Sequence, residues 1–230
     1  MGTFAYGYAG SIAERIANIR QQLPPSVRLI AVTKQVSVEA MREAYAAGIR
    51  DFGESRTQEA EAKLAQLSNL PDLNWHFIGH LQSNKVKKAL EQFQWIHSCD
   101  SLKLAQRLDR FAEELSLQPK VCLQVKLVPD PDKYGWTAPE LLSDLPELDT
   151  YKSLQIRGLM TILPLGLSQQ EILQVFQDTR ELADKIRQQN CSHLRMEELS
   201  MGMSGDYPLA VQAGSTMVRL GRIIFGERTA

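Results

Sequence analysis

Cysteine is scarce in this chain of 230 residues: Cys99, Cys122 and Cys191 are far apart and form no C-x-x-C pair. Neither a disulfide framework nor a thiolate zinc site is therefore expected, and a reducing cytoplasm is the natural compartment. An excess of one charge is also missing. Lys and Arg number 26 against 27 Asp and Glu, a net charge of −1. That balance gives no electrostatic case for nucleic acid or an anionic membrane as partner. The cluster Lys85, Lys87, Lys88 reads as a solvated helix face. No apolar run approaches the roughly 20 residues that a membrane-crossing helix needs. The start, Met1-Gly2-Thr3-Phe4-Ala5-Tyr6, carries Tyr where N-myristoylation requires Ser or Thr, and it has no charged and apolar leader regions. Linkers, repeats and low-complexity stretches are lacking too. Residues 10–230 are thus expected to fold as one domain, behind a loose extension at residues 1–9.

What the chain does contain is alternation. Ser11 can cap a first helix whose apolar stripe is Ile12, Ile16, Ile19 and Leu23, with Pro24-Pro25 ending it. Short apolar runs at 29–34, 49–52, 75–78, 95–97, 121–128, 154–160, 198–201 and 217–220 then alternate with helical patterns. Ser55 with Gln58 matches a capping box for the helix after the second run. Eight runs and about as many helices fit a single (β/α)8 TIM barrel with an extra N-terminal helix. A two-domain α/β chain is the alternative, but no Pro/Gly/Ser-rich seam divides the sequence.

In a barrel, polar residues at the strand carboxyl ends share one face. That face would gather Lys34, Glu54, Ser55, His80, Ser98, Asp100, Lys126, Thr161, Ser200, Ser204 and Arg219. Lys34 ends the run Leu29-Ile30-Ala31-Val32-Thr33, and a lysine amine held there can condense with a carbonyl. Alone it reads as an ordinary strand-end lysine. The far end of the chain changes the balance. Met203-Ser204-Gly205-Asp206 and Gly214-Ser215-Thr216 bring glycines and hydroxyls to the loops around the last two strands, the usual barrel phosphate site. Lysine, phosphate cup and Arg219 together suggest pyridoxal 5′-phosphate. Enzymes that use its ring as a strong electron sink keep the ring nitrogen protonated with a carboxylate. An arginine, always charged and only a donor, leaves that nitrogen unprotonated, which suits mild chemistry or none.

The pieces Ala31-Val32-Thr33-Lys34, Gly53-Glu54, His76-Phe77-Ile78-Gly79-His80-Leu81-Gln82-Ser83-Asn84-Lys85, Leu199-Ser200-Met201-Gly202-Met203-Ser204 and Gly214-Ser215-Thr216-Met217-Val218-Arg219-Leu220-Gly221 occur in this order over nearly the whole chain. In them the chain resembles the pyridoxal-phosphate homeostasis proteins (the YggS/PROSC family). Their fold is similar to the barrel domain of alanine racemase. The resemblance implies that Lys34 carries the cofactor as an internal aldimine. It also implies that Ser204, Ser215, Thr216 and the Gly221 backbone hold phosphate, and that Arg219 lies beside the ring nitrogen. Ser55 stands where the family usually has Asn, so its contact with the cofactor is expected to be lost or water-bridged. The segment from His76 to Lys85 has no function legible from its residues, and His80 reads as a hydrogen-bonded rim histidine.

Three functions compete at this point. The first is a non-catalytic carrier of the vitamin B6 pool that binds the cofactor reversibly, with PLP-dependent apo-enzymes as candidate recipients. The second is a racemase-like PLP enzyme, and the third a Schiff-base aldolase, whose lysine typically comes from a later strand. Two-base racemisation needs an acid/base group on each face of the substrate carbon. Alanine racemases take one from a second, β-rich domain that also forms their dimer. The sequence shows no such domain, so a non-catalytic monomer is expected.

Overall fold

The structure is a computed structural model that describes residues 9–189 and 191–227; of the expected extension at 1–9, only Ala9 lies within them. Eight strands close into one barrel in sequence order: β1 Arg28–Val32, β2 Asp51–Glu54, β3 Asn74–Phe77, β4 Trp95–Cys99, β5 Lys120–Val125, β6 Gln155–Thr161, β7 Glu198–Ser200 and β8 Met217–Leu220. Every neighbouring pair is parallel. The strands read as nearly unbroken apolar runs because helices cover the barrel outside and side chains fill it inside. Leu29-Ile30-Ala31-Val32, for example, is buried throughout. The seam closes with Arg28 opposite Met217 and Ala31 opposite Leu220. The two chain ends that carry Lys34 and Gly221 are thereby neighbours.

Helices α1 Ile12–Gln22, α2 Val38–Ala46, α3 Thr57–Gln66, α4 Val86–Gln92, α5 Leu102–Glu114, α6 Ala138–Leu148, α7 Gln169–Arg187, α8 Tyr207–Gln212 and α9 Arg222–Phe225 surround the sheet. Ser11, Ser37, Ser101, Thr137 and Ser168 each accept a hydrogen bond from the backbone N–H three residues on, which satisfies an otherwise orphaned donor. The N-terminal helix α1 packs on α2 and α9. It thus completes the ring where α9 is short.

Two sequence expectations are corrected. The second strand begins at Asp51, not at residue 49. Gly48 (φ +91°) and Ile49 instead finish α2, with Gly48 N–H donating to Tyr45 O and Ile49 N–H to Ala44 O, a Schellman turn that draws Ile49 into the core. The Ser55–Gln58 capping box does not form. Arg56 is the N-cap of α3 and makes no side-chain cap bond, which leaves Ser55 to the barrel mouth.

The core has two layers. Most buried apolar residues lie in one cluster between sheet and helices, whereas Ile30, Trp95, Cys122, Met160 and Met217 form a separate cluster inside the barrel. Among the described residues no helix is long and apolar enough to cross a membrane.

Candidate functional site

The strand carboxyl ends open on a cavity of about 670 Å³, within the size range of small-ligand sites. Lys34, Ser55, His80, Ser204, Arg219 and Gly221 all line it. Residues from the two ends of the chain meet here because β1 and β8 are partners.

The loop carrying Lys34 is pinned from below. Thr33 N–H donates to Gly53 O (2.9 Å), and Val36 N–H donates to Thr33 O (2.9 Å). Gln35 sits in the left-handed region, φ +59°, unusual for a side-chain-bearing residue. Its N–H donates to Glu59 Oε1 at 2.5 Å. Lys63 on α3 holds both pieces. Its Nζ donates to Thr33 O (2.6 Å), Glu54 Oε1 (2.8 Å) and Glu59 Oε1 (2.6 Å), while Thr33 Oγ1 donates to Glu54 Oε1 at 2.6 Å. Glu54 is fully buried and its Oε2 has no partner among the described residues. Burial raises its pKa against the opposing pull of Lys63 and Thr33. Sequence reading missed Lys63. The signal was its place in the buried stripe of Ala60, Lys63 and Leu67, where an unpaired lysine is not tolerated.

Arg219 is almost wholly buried at the cavity floor. Nη1 donates to Ser200 O (2.6 Å) and Ser200 Oγ (2.7 Å), and Nη2 donates to Thr161 O (2.9 Å). Of the five N–H donors of a guanidinium, two make no hydrogen bond among the described residues. Burial brings its pKa down to about 10, with Asp206 opposing the shift, so it is a cation at neutral pH. The turn Met203–Asp206 is shaped by its own side chain. Met203 N–H donates to Asp206 Oδ1 at 2.6 Å, and the N–H groups of Ser204 and Gly205 have no acceptor among the described residues. A Cβ added at Gly205 would meet nothing within 4 Å. Arg222 also lines the cavity, a cation that the sequence reading had not assigned.

The opposite rim accounts for part of the segment from His76 to Lys85. A Cβ at Gly79 would overlap Ser55 O, so glycine lets the β2 and β3 loops touch, and Ser98 Oγ donates to Gly79 O. His80 shares a hydrogen bond with Asp100 through Nδ1 (3.1 Å) and stacks on Tyr134, centroids 3.8 Å apart. Gln124 Nε2 donates to Tyr134 O (2.9 Å) and Lys126 Nζ to Lys133 O (3.1 Å), which folds the loop between β5 and α6 over the cavity.

Two expected phosphate ligands are not there. Ser215 and Thr216 precede β8, so they lie at the strand-start end of the barrel, away from Lys34. Ser215 Oγ hydrogen-bonds to Met201 O (2.7 Å), and Thr216 Oγ1 donates to Glu198 Oε2 (2.6 Å) and accepts from Leu199 N–H (2.8 Å). These hydroxyls join β8 to β7. The glycines and hydroxyls before a strand resemble in composition those after one, but a strand's direction puts them at opposite ends of the barrel.

The profile of the alanine racemase N-terminal domain matches residues 9–229. A pyridoxal phosphate homeostasis protein of Synechocystis sp. is 57% identical over 206 residues, covering 90% of this chain and 94% of the relative. One from Pseudomonas aeruginosa is 42% identical over 230 residues, covering 95% and 96%. PipY of Synechococcus elongatus, solved with PLP bound, superposes with a TM-score of 0.90 at 56% identity, covering 94% of this chain and 100% of PipY. Alanine racemase of Clostridium difficile superposes with a TM-score of 0.75 at 15% identity, covering 96% of this chain but 57% of the racemase. That likeness is one of fold alone.

Proposed function

The chain belongs to the pyridoxal phosphate homeostasis proteins, on the alanine racemase N-terminal domain fold, and from this membership we propose that it binds pyridoxal 5′-phosphate reversibly as a non-catalytic carrier of the cofactor. The observation that carries the reading is one cavity lined by a strand-end lysine, a buried arginine and a turn with unpaired amides. PLP-bound PipY supports it.

The donor set fits the cofactor. Lys34 supplies an amine. Arg219 offers two uncommitted N–H groups to an acceptor such as a pyridine nitrogen. Ser204, Gly205 and Gly221 supply a hydroxyl and backbone amides for a phosphate, and Arg222 adds positive charge at the same wall. Ser55 lines the cavity and is the neighbour that an ordered water would bridge. When bound, the group supplies an aldehyde able to condense with a primary amine, and a ring that withdraws electrons. The chain's own contribution is positioning. The Lys63–Glu54–Thr33 cluster fixes the backbone from which Lys34 projects, and Arg219, a donor only, does not demand a protonated ring nitrogen.

This favours holding over transformation. The homeostasis names of the relatives point the same way, whereas the racemase likeness is confined to fold. Residues 10–230 are taken as one functional unit, a monomer acting in the reducing cytoplasm where three free cysteines are stable, with PLP-dependent apo-enzymes as recipients.

Adding pyridoxal 5′-phosphate to the purified chain should produce a visible absorption band that Lys34→Ala abolishes. Alanine or serine should give no sustained turnover. A covalent band surviving in Lys34→Ala would defeat the lysine assignment, and continuing racemisation or transamination would defeat the carrier reading.

A further inference from the structure

The barrel interior is not wholly apolar. A chain of side chains crosses it from the strand-start end to the cavity floor. Asp51 Oδ1 lies 2.9 Å from His76 Nε2, and His76 Nδ1 lies 2.9 Å from His97 Nε2. His97 Nδ1 lies 2.7 Å from Ser200 Oγ, which accepts from Arg219 Nη1 at 2.7 Å. His76, His97 and Ser200 have no solvent exposure. His97 on β4 reaches across the lumen to Ser200 on β7, so the link does not follow the sheet.

The partners fix the protons. A carboxylate only accepts, so His76 Nε2 carries a hydrogen and His76 Nδ1, in a neutral ring, accepts. His97 Nε2 must then donate, and His97 Nδ1 accepts from the Ser200 hydroxyl, whose oxygen accepts from Arg219. Every bond donates in one direction, from the guanidinium at the cavity to the carboxylate at the far end. Such ordered chains polarise one another. Burial lowers the pKa of both imidazoles, that of His97 well below its ordinary value, as the ordering requires. The other charged groups around the pair are Arg28, Lys120 and Glu198, at the strand-start end. Arg28 lies 3.9 Å from Asp51 and 3.6 Å from Glu198, while Lys120 lies over the Trp95 ring.

We propose that Asp51, His76, His97 and Ser200 are positioning residues for Arg219, forming a proton-ordered relay that ties the guanidinium facing the cofactor ring to a carboxylate at the opposite end of the barrel. The relay rests on the functional reading above for its purpose, though not for its existence. It holds Arg219 in one orientation as a donor. Because Asp51 lies at the strand-start end, a change at that end should be felt at the ring without any contact between the two. Protonating His76 would set two N–H groups against each other at the His76–His97 contact, and protonating His97 would turn its Nδ1 into a donor facing the Ser200 hydroxyl, so binding should fail in acid once either occurs.

Two measurements test this. In cofactor-free, 15N-labelled full-length protein, imidazole NMR should report His76 and His97 as neutral Nε2–H tautomers at pH 7. A cationic or Nδ1–H ring at pH 7 overturns the relay. Spectrophotometric titration with pyridoxal 5′-phosphate should then show Asp51→Asn, which keeps the shape and removes the charge, weakening binding about five-fold, a coupling of ordinary size, and shifting the pH midpoint of the bound band. Ser200→Ala should weaken binding at least as much, and adding Asp51→Asn to it should cost nothing further. Losses that add in full, or an unshifted midpoint in Asp51→Asn, overturn the proposal while the carrier reading stands. A wild-type chain that binds no cofactor overturns the carrier reading and removes the relay's purpose, whatever the NMR shows.

Discussion

Lys63 is the residue whose loss should be felt most widely. Its ammonium is nearly buried and donates to Glu54 Oε1, Glu59 Oε1 and Thr33 O at 2.6–2.8 Å. In Lys63→Met the stem volume is kept, but the fully buried Glu54 loses its counter-charge and Thr33 O loses a donor. Removing one partner of a buried ion pair costs about 3–5 kcal/mol. With a urea m-value near 3 kcal/mol/M, the unfolding midpoint should fall by about 1–1.7 M. The pH dependence supplies a second signature. Glu54 has a raised folded pKa, caused first by burial, so the stability it contributes is present at low pH and lost as pH rises through that value. Without Lys63 its pKa rises further. Burial pushes Glu59 up, but hydrogen bonds from Lys63 and Gln35 N–H outweigh that and leave its pKa lowered. Its contribution is therefore present above the ordinary carboxylate range and lost as pH falls. Both effects make the Lys63→Met deficit shrink on acidification. Glu54→Gln added to Lys63→Met should recover part of the loss, giving non-additivity of about 1–3 kcal/mol. A deficit below 1 kcal/mol, or one that grows in acid, would refute the reasoning.

Gly158→Ala would place its Cβ onto Glu198 O, a backbone atom that cannot swing aside. Thermal unfolding should show a loss of at least about 1–3 kcal/mol, and an unchanged melting temperature would show that β6 and β7 are not so closely apposed. Burial pushes the thiols of Cys99 and Cys122 far up and that of Cys191 less. Iodoacetamide on the native chain should therefore label Cys191 first, as peptide mass spectrometry would read out. Size-exclusion chromatography with light scattering should give one copy of the 25.9 kDa chain, and a stable dimer would contradict the monomer reading.

The barrel was legible because its parallel strands are short, apolar and regularly interrupted. The boundary error at 49–52 arose because Ile49 is as apolar as a strand residue but spends itself capping α2. Lys34, Ser55, Ser204 and Arg219 were gathered by reading strand ends, and Gly221 was added by the family resemblance; all five line one cavity. Ser215 and Thr216 were misplaced because composition does not say on which end of a strand a turn falls. Lys63 and the pair His76–His97 were hidden for a different reason. The histidines' partners are distant in sequence, His97 and Ser200 by 103 residues, and no local spacing announces a bond across a barrel lumen; Lys63 has Glu59 four residues away, but its bonds to buried Glu54 and Thr33 O follow only from the fold.

The central claim is that Lys34 is the attachment point of the cofactor. Borohydride reduction of the protein loaded with pyridoxal 5′-phosphate, followed by proteolysis and mass spectrometry, tests it most directly. The account predicts a phosphopyridoxyl group on Lys34 alone. A group on Lys133 at the same cavity, on any other lysine, or on none, would contradict it.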